Sequence, residues 1–103
     1  MLLAKLVYGI QKHLPKVEVY GLGDQMRRAV VSIPSNIAEG FGRDSDKEFM
    51  HFLSIARGSL FEVKTQLQLA ESLEYLEITE DVVALIDEVG KLLNALMRSL
   101  GSR

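Results

Sequence analysis

The sequence predicts an all-α protein, an up-down four-helix bundle whose second helix is kinked at a proline. Three observations carry this. Apolar residues recur three and four positions apart through four segments, short loops join those segments, and neither an alternating strand pattern nor a hairpin-type turn dipeptide occurs. At 103 residues, 48% apolar and 25% charged, the chain has the composition of one globular domain, residues 1–103, able to bury its own core.

Leu2, Leu3, Leu6, Val7, Ile10 and Leu14 recur at helical spacing, which predicts a first helix from about Leu2 to His13. Pro15 ends it, because its ring and missing N–H bar continuation and push Leu14 out of the helical region. Residues 15–23 read as a connection. Gly21 and Gly23 supply turn conformations, while Val17, Val19, Tyr20 and Leu22 pack over a bundle end.

Asp24 suits an N-cap, and Met26, Val30, Ile33, Ile37 and Phe41 continue one apolar stripe through Pro34. An interior proline costs a helix about 3 kcal/mol, so the continuous stripe predicts one kinked helix and not two separate ones. The carbonyl freed near Val30 needs a partner, and Ser32 and Ser35 are the local candidates. Gly40 and Gly42 suit the left-handed conformation that closes a helix.

Ser45 and Glu48 fit a capping box, in which hydroxyl and carboxylate satisfy each other's backbone donors. Phe49, Phe52, Leu53, Ala56, Leu60, Val63, Leu67 and Ala70 then mark a long third helix, roughly Asp46 to Ser72. Gly58 and Ser59 in its middle are small enough to let another helix approach closely. After a connection from Leu73 to Ile78, Thr79 caps a fourth helix, where Val82, Leu85, Ile86, Val89, Leu92, Leu93, Leu96 and Leu100 form a near-heptad seam.

The chain has no cysteine, which removes disulfide frameworks and thiolate metal sites and makes the cytoplasm the expected location. Lys5 interrupts the apolar start, no cleavage site follows, and the longest uncharged stretch, Ala29 to Ala38, is too short to cross a bilayer. No membrane association is expected. The net charge is -2, unevenly spread. The first 23 residues are mildly basic, residues 24–64 are balanced, and from Thr65 onward acids prevail over Lys91, Arg98 and Arg103, so an anionic partner is expected to meet the first two thirds.

Glu48 and His51 make a Glu-x-x-His pair, the spacing used by di-iron bundles. Such a site needs a second pair and two inward glutamates; the chain has no second pair, and Glu48 is taken by the capping box. Neither His13 nor His51 belongs to a zinc pattern, and nucleophile elbows and phosphate-cradling loops are missing. No catalytic site, metal or other cofactor is expected. Arg27, Arg28, Arg43 and Arg57, with Lys47 and Lys64, could face RNA or DNA backbone if the second and third helices lie side by side. Asp24 before Arg28 and Glu39 before Arg43 offer internal pairing instead, which is the preferred reading. The tyrosines show no basic-aromatic interleaving of the kind that stacks bases. Ser32, Ser35, Asn36 and Glu39 are read as a polar network that holds the register of the kinked helix, closed by Arg28 or Arg57.

Tyr20-Gly21-Leu22, Gln25, Arg27-Arg28-Ala29, the run Ser32-Ile33-Pro34-Ser35-Asn36-Ile37-Ala38-Glu39-Gly40, and Leu53-Ser54-Ile55-Ala56-Arg57-Gly58-Ser59 together resemble the four-helix bundle proteins encoded in intervening sequences of 23S ribosomal RNA. The resemblance covers roughly residues 14–100. It implies a homo-oligomer, a ring of five, and similarity to the accessory variability protein of diversity-generating retroelements, a basic pentamer that binds nucleic acid and a reverse transcriptase. Two features depart from that pattern: the chain is acidic overall, and it begins at Met1-Leu2-Leu3 without the aromatic and basic start of a longer first helix. The expected function is a non-enzymatic, self-associating scaffold that touches ribosomal or other structured RNA. A nucleic-acid-binding protein proper is the alternative, and a metal-binding bundle resting on Glu48 and His51 comes third.

Overall fold

The computed structural model describes residues 2–102. Four helices form, α1 (Leu2–Ile10), α2 (Leu22–Phe41), α3 (Asp46–Ser72) and α4 (Glu80–Gly101), and among the described residues there is no strand. They pack in a ring, α1 on α2, α2 on α3, α3 on α4 and α4 back on α1, into a rod of 46 × 25 × 19 Å. No helix of the described residues is long and apolar enough to cross a membrane. Met26, Leu53, Leu67, Leu93, Val7, Val30 and Val63 fill the centre with less than 2% of their surface exposed. These are the stripe positions of all four helices, as amphipathic periodicity requires.

α1 is shorter than its apolar spacing suggests. Its last turn tightens into a 3₁₀ segment, Gln11–His13, before Leu14 turns extended ahead of Pro15. A second single 3₁₀ turn, Lys16–Glu18, follows Pro15; Leu22 is buried as expected of this connection, but Val17 and Tyr20 stand in solvent and do not pack over a bundle end. The Glu18 carboxylate of the turn accepts a hydrogen bond from the Tyr75 hydroxyl at 3.0 Å, joining this connection to the α3–α4 connection. That bond, reinforced by partial desolvation and the carboxylate's charge, raises the Tyr75 pKa.

α2 begins two residues before the expected Asp24 cap. Gly21 precedes it with no side-chain cap, and Asp24 sits inside the first turn, where its charge meets the positive helix end. Gly23 is a buried helical residue and not a turn residue. A Cβ there would lie 2.6 Å from Gln11 Oε1 and 3.1 Å from the Glu18 carbonyl, so any side chain would have to displace the Gln11 amide from Arg27 and push on the Lys16–Glu18 turn. The helix runs on through Pro34 without interruption to Phe41. Ser32 and Ser35 do not bond the carbonyl that the proline frees: Ser32 turns across to α3, and Ser35 is exposed with no side-chain bond to a described residue.

Gly40 and Gly42 also differ from expectation, since no glycine among the described residues has positive φ. Gly42 closes α2 in right-handed geometry (φ -80°), its amide shared between the Ala38 and Gly40 carbonyls. Gly40 serves packing instead. A Cβ there would lie 2.7 Å from Phe52 Cβ and 2.9 Å from Phe49 Cδ1, so α2 and α3 touch at backbone range.

The Ser45 hydroxyl caps α3, accepting from the Glu48 amide at 3.2 Å; the reciprocal bond from the Ser45 amide to the Glu48 carboxylate does not form among the described residues. Gly58 is exposed and has nothing within 4 Å of a built Cβ, whereas Ser59 is buried against α2. Close approach thus belongs to Ser59 and Gly40, not to Gly58. α3 ends in a Schellman motif, Tyr75 N–H donating to the Ala70 carbonyl (3.0 Å) and Glu74 N–H to that of Glu71 (2.9 Å), which puts Glu74 at φ 64°. Thr79 caps α4 through the Val82 amide at 3.4 Å. Only part of the α4 seam is covered: Val82, Ile86, Leu93 and Leu100 are buried, but Leu92 is 60% exposed and Leu96 39%.

Candidate functional site

The arginines expected to form one basic face occupy different regions. Arg27 is consumed by the fold, because its guanidinium donates to Gln11 Oε1 (2.7 Å), the Val19 carbonyl (3.0 Å) and Asp24 Oδ1 (3.3 Å). Three acceptors on three parts of the chain make it the clasp of the α1–α2 connection. Arg28, one residue on, points outward with 81% of its side chain exposed and lies 3.6 Å from Asp24. Tyr8, Val31 and Ser35 line the open groove beside it.

Arg43 sits at the α2–α3 corner. It pairs with Glu39 one helical turn back and lies over the Phe52 ring, 5.0 Å from the centroid. Phe41 meets Phe49 edge to face at 6.0 Å in the same corner, and Lys47, Glu48 and His51 line the groove there. Glu48 and His51 therefore face an open surface shared with two cations. Among the described residues no group of three or more histidine, aspartate and glutamate side chains gathers as a metal site would need.

Arg57 faces the other way, into the seam between α3 and α4, where it donates to Asn94 Oδ1 at 3.2 Å. Its groove, of about 230 Å³, is floored by Leu60, Ile86 and Gly90 and also lined by Phe61, Lys64, Asp87 and Lys91. Lys91 comes from the acidic last third, which the charge distribution along the chain had set aside. The signal was present in the spacing: Arg57, Phe61 and Lys64 share one helical face, as do Asp87, Lys91 and Asn94.

The polar network is smaller than the four residues expected. Asn36 Nδ2 donates to both the Ser32 carbonyl and the Ser32 hydroxyl at 2.8 Å, and that hydroxyl meets Ser59 Oγ at 2.8 Å. Ser59 is the partner that sequence reasoning took for a mere small residue. Glu39 stands apart with Arg43, and neither Arg28 nor Arg57 closes the network. Ser32 and Asn36 of the motif thus stitch α2 to Ser59 of α3 in a half-buried seam, while Ser35 and Glu39 stay at the surface.

A second groove, of about 320 Å³, is purely apolar in its lining. Leu3, Val30, Pro34, Ile37, Leu92 and Leu96 line it from three helices.

One comparison with known proteins bears on the chain. No individual curated protein matches the chain significantly. The family described as 23S rRNA-intervening sequence protein matches residues 1–95, which takes in the Pro34 motif, all of α3 and most of α4, and the chain belongs to that family.

Proposed function

We propose that this protein is a non-enzymatic scaffold that self-associates through the apolar groove framed by α2 and α4. One observation carries the reading: Leu92 and Leu96 are 60% and 39% exposed at the edge of a groove with no polar side chain to hold water in it. A second copy covering that edge removes apolar surface from water at about 25 cal/mol per Å². The resemblance to bundle pentamers supports a closed ring of copies, a symmetry that leaves no groove unfilled. Sedimentation velocity across a range of concentrations tests it. Wild type is expected to sediment as an oligomer and Leu92→Glu as a monomer with unchanged helicity; a monomer at every concentration would sink the proposal.

Contact with structured RNA is the second reading, and it places the protein beside the accessory variability protein in function. Arg28 supports it, being the most solvent-facing of the four arginines in ion pairs or bonds, and so does Arg57, whose groove stands open. Such binding weakens steeply with salt, as counterion release requires. Filter binding of ribosomal RNA fragments at graded salt provides the test, and a flat salt response removes this reading.

A further inference from the structure

Most cations among the described residues stand outside any ion pair, and three of these share one groove. Arg27, Arg28 and Arg43 each lie within 4 Å of a carboxylate of α2, namely Asp24 or Glu39. Arg57, Lys64 and Lys91 line one groove with no ion pair to any described residue, and Asp87 is the single carboxylate in that lining. Unpaired cations crowded on a low groove repel one another and gain most from an anionic guest.

The register of α3 against α4 shows how far this track runs. Gly90 faces Leu60 (3.5 Å from a built Cβ), Asn94 meets Arg57, and Gly101 faces Met50 (3.9 Å), so the helices run antiparallel in one constant register. In that register Lys64 lies beside Asp87, Lys91 beside Leu60, and Arg98, one turn beyond Asn94, continues the line toward Leu53. From Asp87 to Arg98 is eleven steps of helix, about 16 Å. Arg98 too has no ion pair to a described residue. Phe61 stands in the middle of the cations, 59% exposed, where an isolated apolar ring gains nothing from the core.

We propose that the α3–α4 groove binds a short single-stranded stretch of nucleic acid, its phosphates tracked by Arg57, Lys64, Lys91 and Arg98 and one unpaired base stacked on Phe61. The proposal rests on the RNA-contact reading above and moves its centre from α2 to the opposite seam. An aromatic face flanked by cations suits a single strand, because every unpaired base offers a π-face and a duplex offers none along its side. Asn94, held by Arg57, adds an amide beside the ring for a base edge or a sugar hydroxyl. Asp87 marks the end of the track by repelling phosphate there.

The probe is a fluorescein-labelled oligouridylate of about 15 nucleotides, long enough for a single site of the usual size, followed by anisotropy at graded salt. Phe61→Ala is expected to weaken binding about 5- to 150-fold, the range for loss of one stacked base. Lys64→Gln combined with Lys91→Gln is expected to lower the slope of log affinity on log salt by about 1.4, two single-strand phosphates. All three positions are solvent-exposed, so circular dichroism should show unchanged helicity. If these variants bind like wild type while Arg28→Gln with Arg43→Gln abolishes binding, the groove assignment falls and the RNA reading stands. Equal binding of a duplex, insensitive to Phe61→Ala, overturns the single-strand assignment. Displacement of the probe by polyglutamate at equal charge concentration assigns the groove to acidic protein and overturns it as well. Binding of neither probe at low salt removes both this proposal and the RNA reading.

Discussion

The same substitution, glycine to alanine, is expected to act with opposite sign at Gly40 and Gly58. Both residues are helical, so alanine restricts the unfolded backbone at either site and adds up to about 1 kcal/mol of stability. At Gly58 nothing opposes that gain, because a built Cβ has no neighbour within 4 Å. At Gly40 the gain is smaller, one residue from the helix end, and the new methyl would sit 2.7 Å from Phe52 Cβ. That atom is fixed to the α3 backbone and cannot swing aside as a side-chain tip could. The helices must separate, at about 1–3 kcal/mol for overpacking, which outweighs the propensity gain. Each kcal/mol moves the midpoint of a domain this size by about 4–8 °C. Thermal melts by far-ultraviolet circular dichroism, at one fixed protein concentration since association shifts the midpoint, should therefore show Gly58→Ala above wild type and Gly40→Ala below it. If Gly40→Ala melts as high as Gly58→Ala, the backbone-range contact between α2 and α3 is not what demands a glycine there.

Three further outcomes are expected. Glu74→Gly should stabilise by about 1 kcal/mol in urea titrations, because φ 64° strains any side chain and glycine is the usual occupant of this Schellman position. Ser32→Ala should cost about 1–3 kcal/mol by leaving the buried Ser59 hydroxyl without its partner, Ser59→Ala should cost less because Ser32 Oγ still accepts from Asn36, and the double variant should cost less than the sum; additivity would mean that the 2.8 Å bond contributes nothing. Stability should fall as pH rises past about 10, because the unfolded Tyr75 gives up its proton there while the folded phenol, donating to Glu18, keeps it to higher pH. Tyr75→Phe should flatten that alkaline slope, and an unchanged slope in base titrations would contradict the assignment.

Much of the fold is legible along the chain. The bounds of α3 follow from Ser45, which starts it, and from an apolar stripe that stops at Ala70, and Thr79 announces α4 in the same way. Asp24 misled because a carboxylate is equally favourable as a cap and inside the first turn, and only the neighbouring Gly21–Gly23 geometry separates the two. Gly40 and Gly42 follow the sequence rule for helix ends, yet the turn closes in right-handed geometry and Gly40 is held by a contact with Phe49 and Phe52. The candidate site was less legible still. Arg27 looks like a surface cation until Gln11 and the Val19 carbonyl come to meet it, and Lys91 looks like a minority charge until α4 lays it beside Arg57 and Lys64.

By itself the sequence determined four amphipathic helices, the N-caps of α3 and α4, the central core residues and a continuous helix through Pro34. Periodicity and capping act over a few residues, within reach of local physics. Tertiary structure alone decided which faces meet: that Ser32 finds Ser59, that Gly40 and not Gly58 lies at the crossing, that three unpaired cations line the α3–α4 groove, and that Leu92 and Leu96 stand exposed. Helical spacing fixes where a side chain points relative to its own axis. The rotation of that axis, and its register against a neighbour, depend on how the whole core packs.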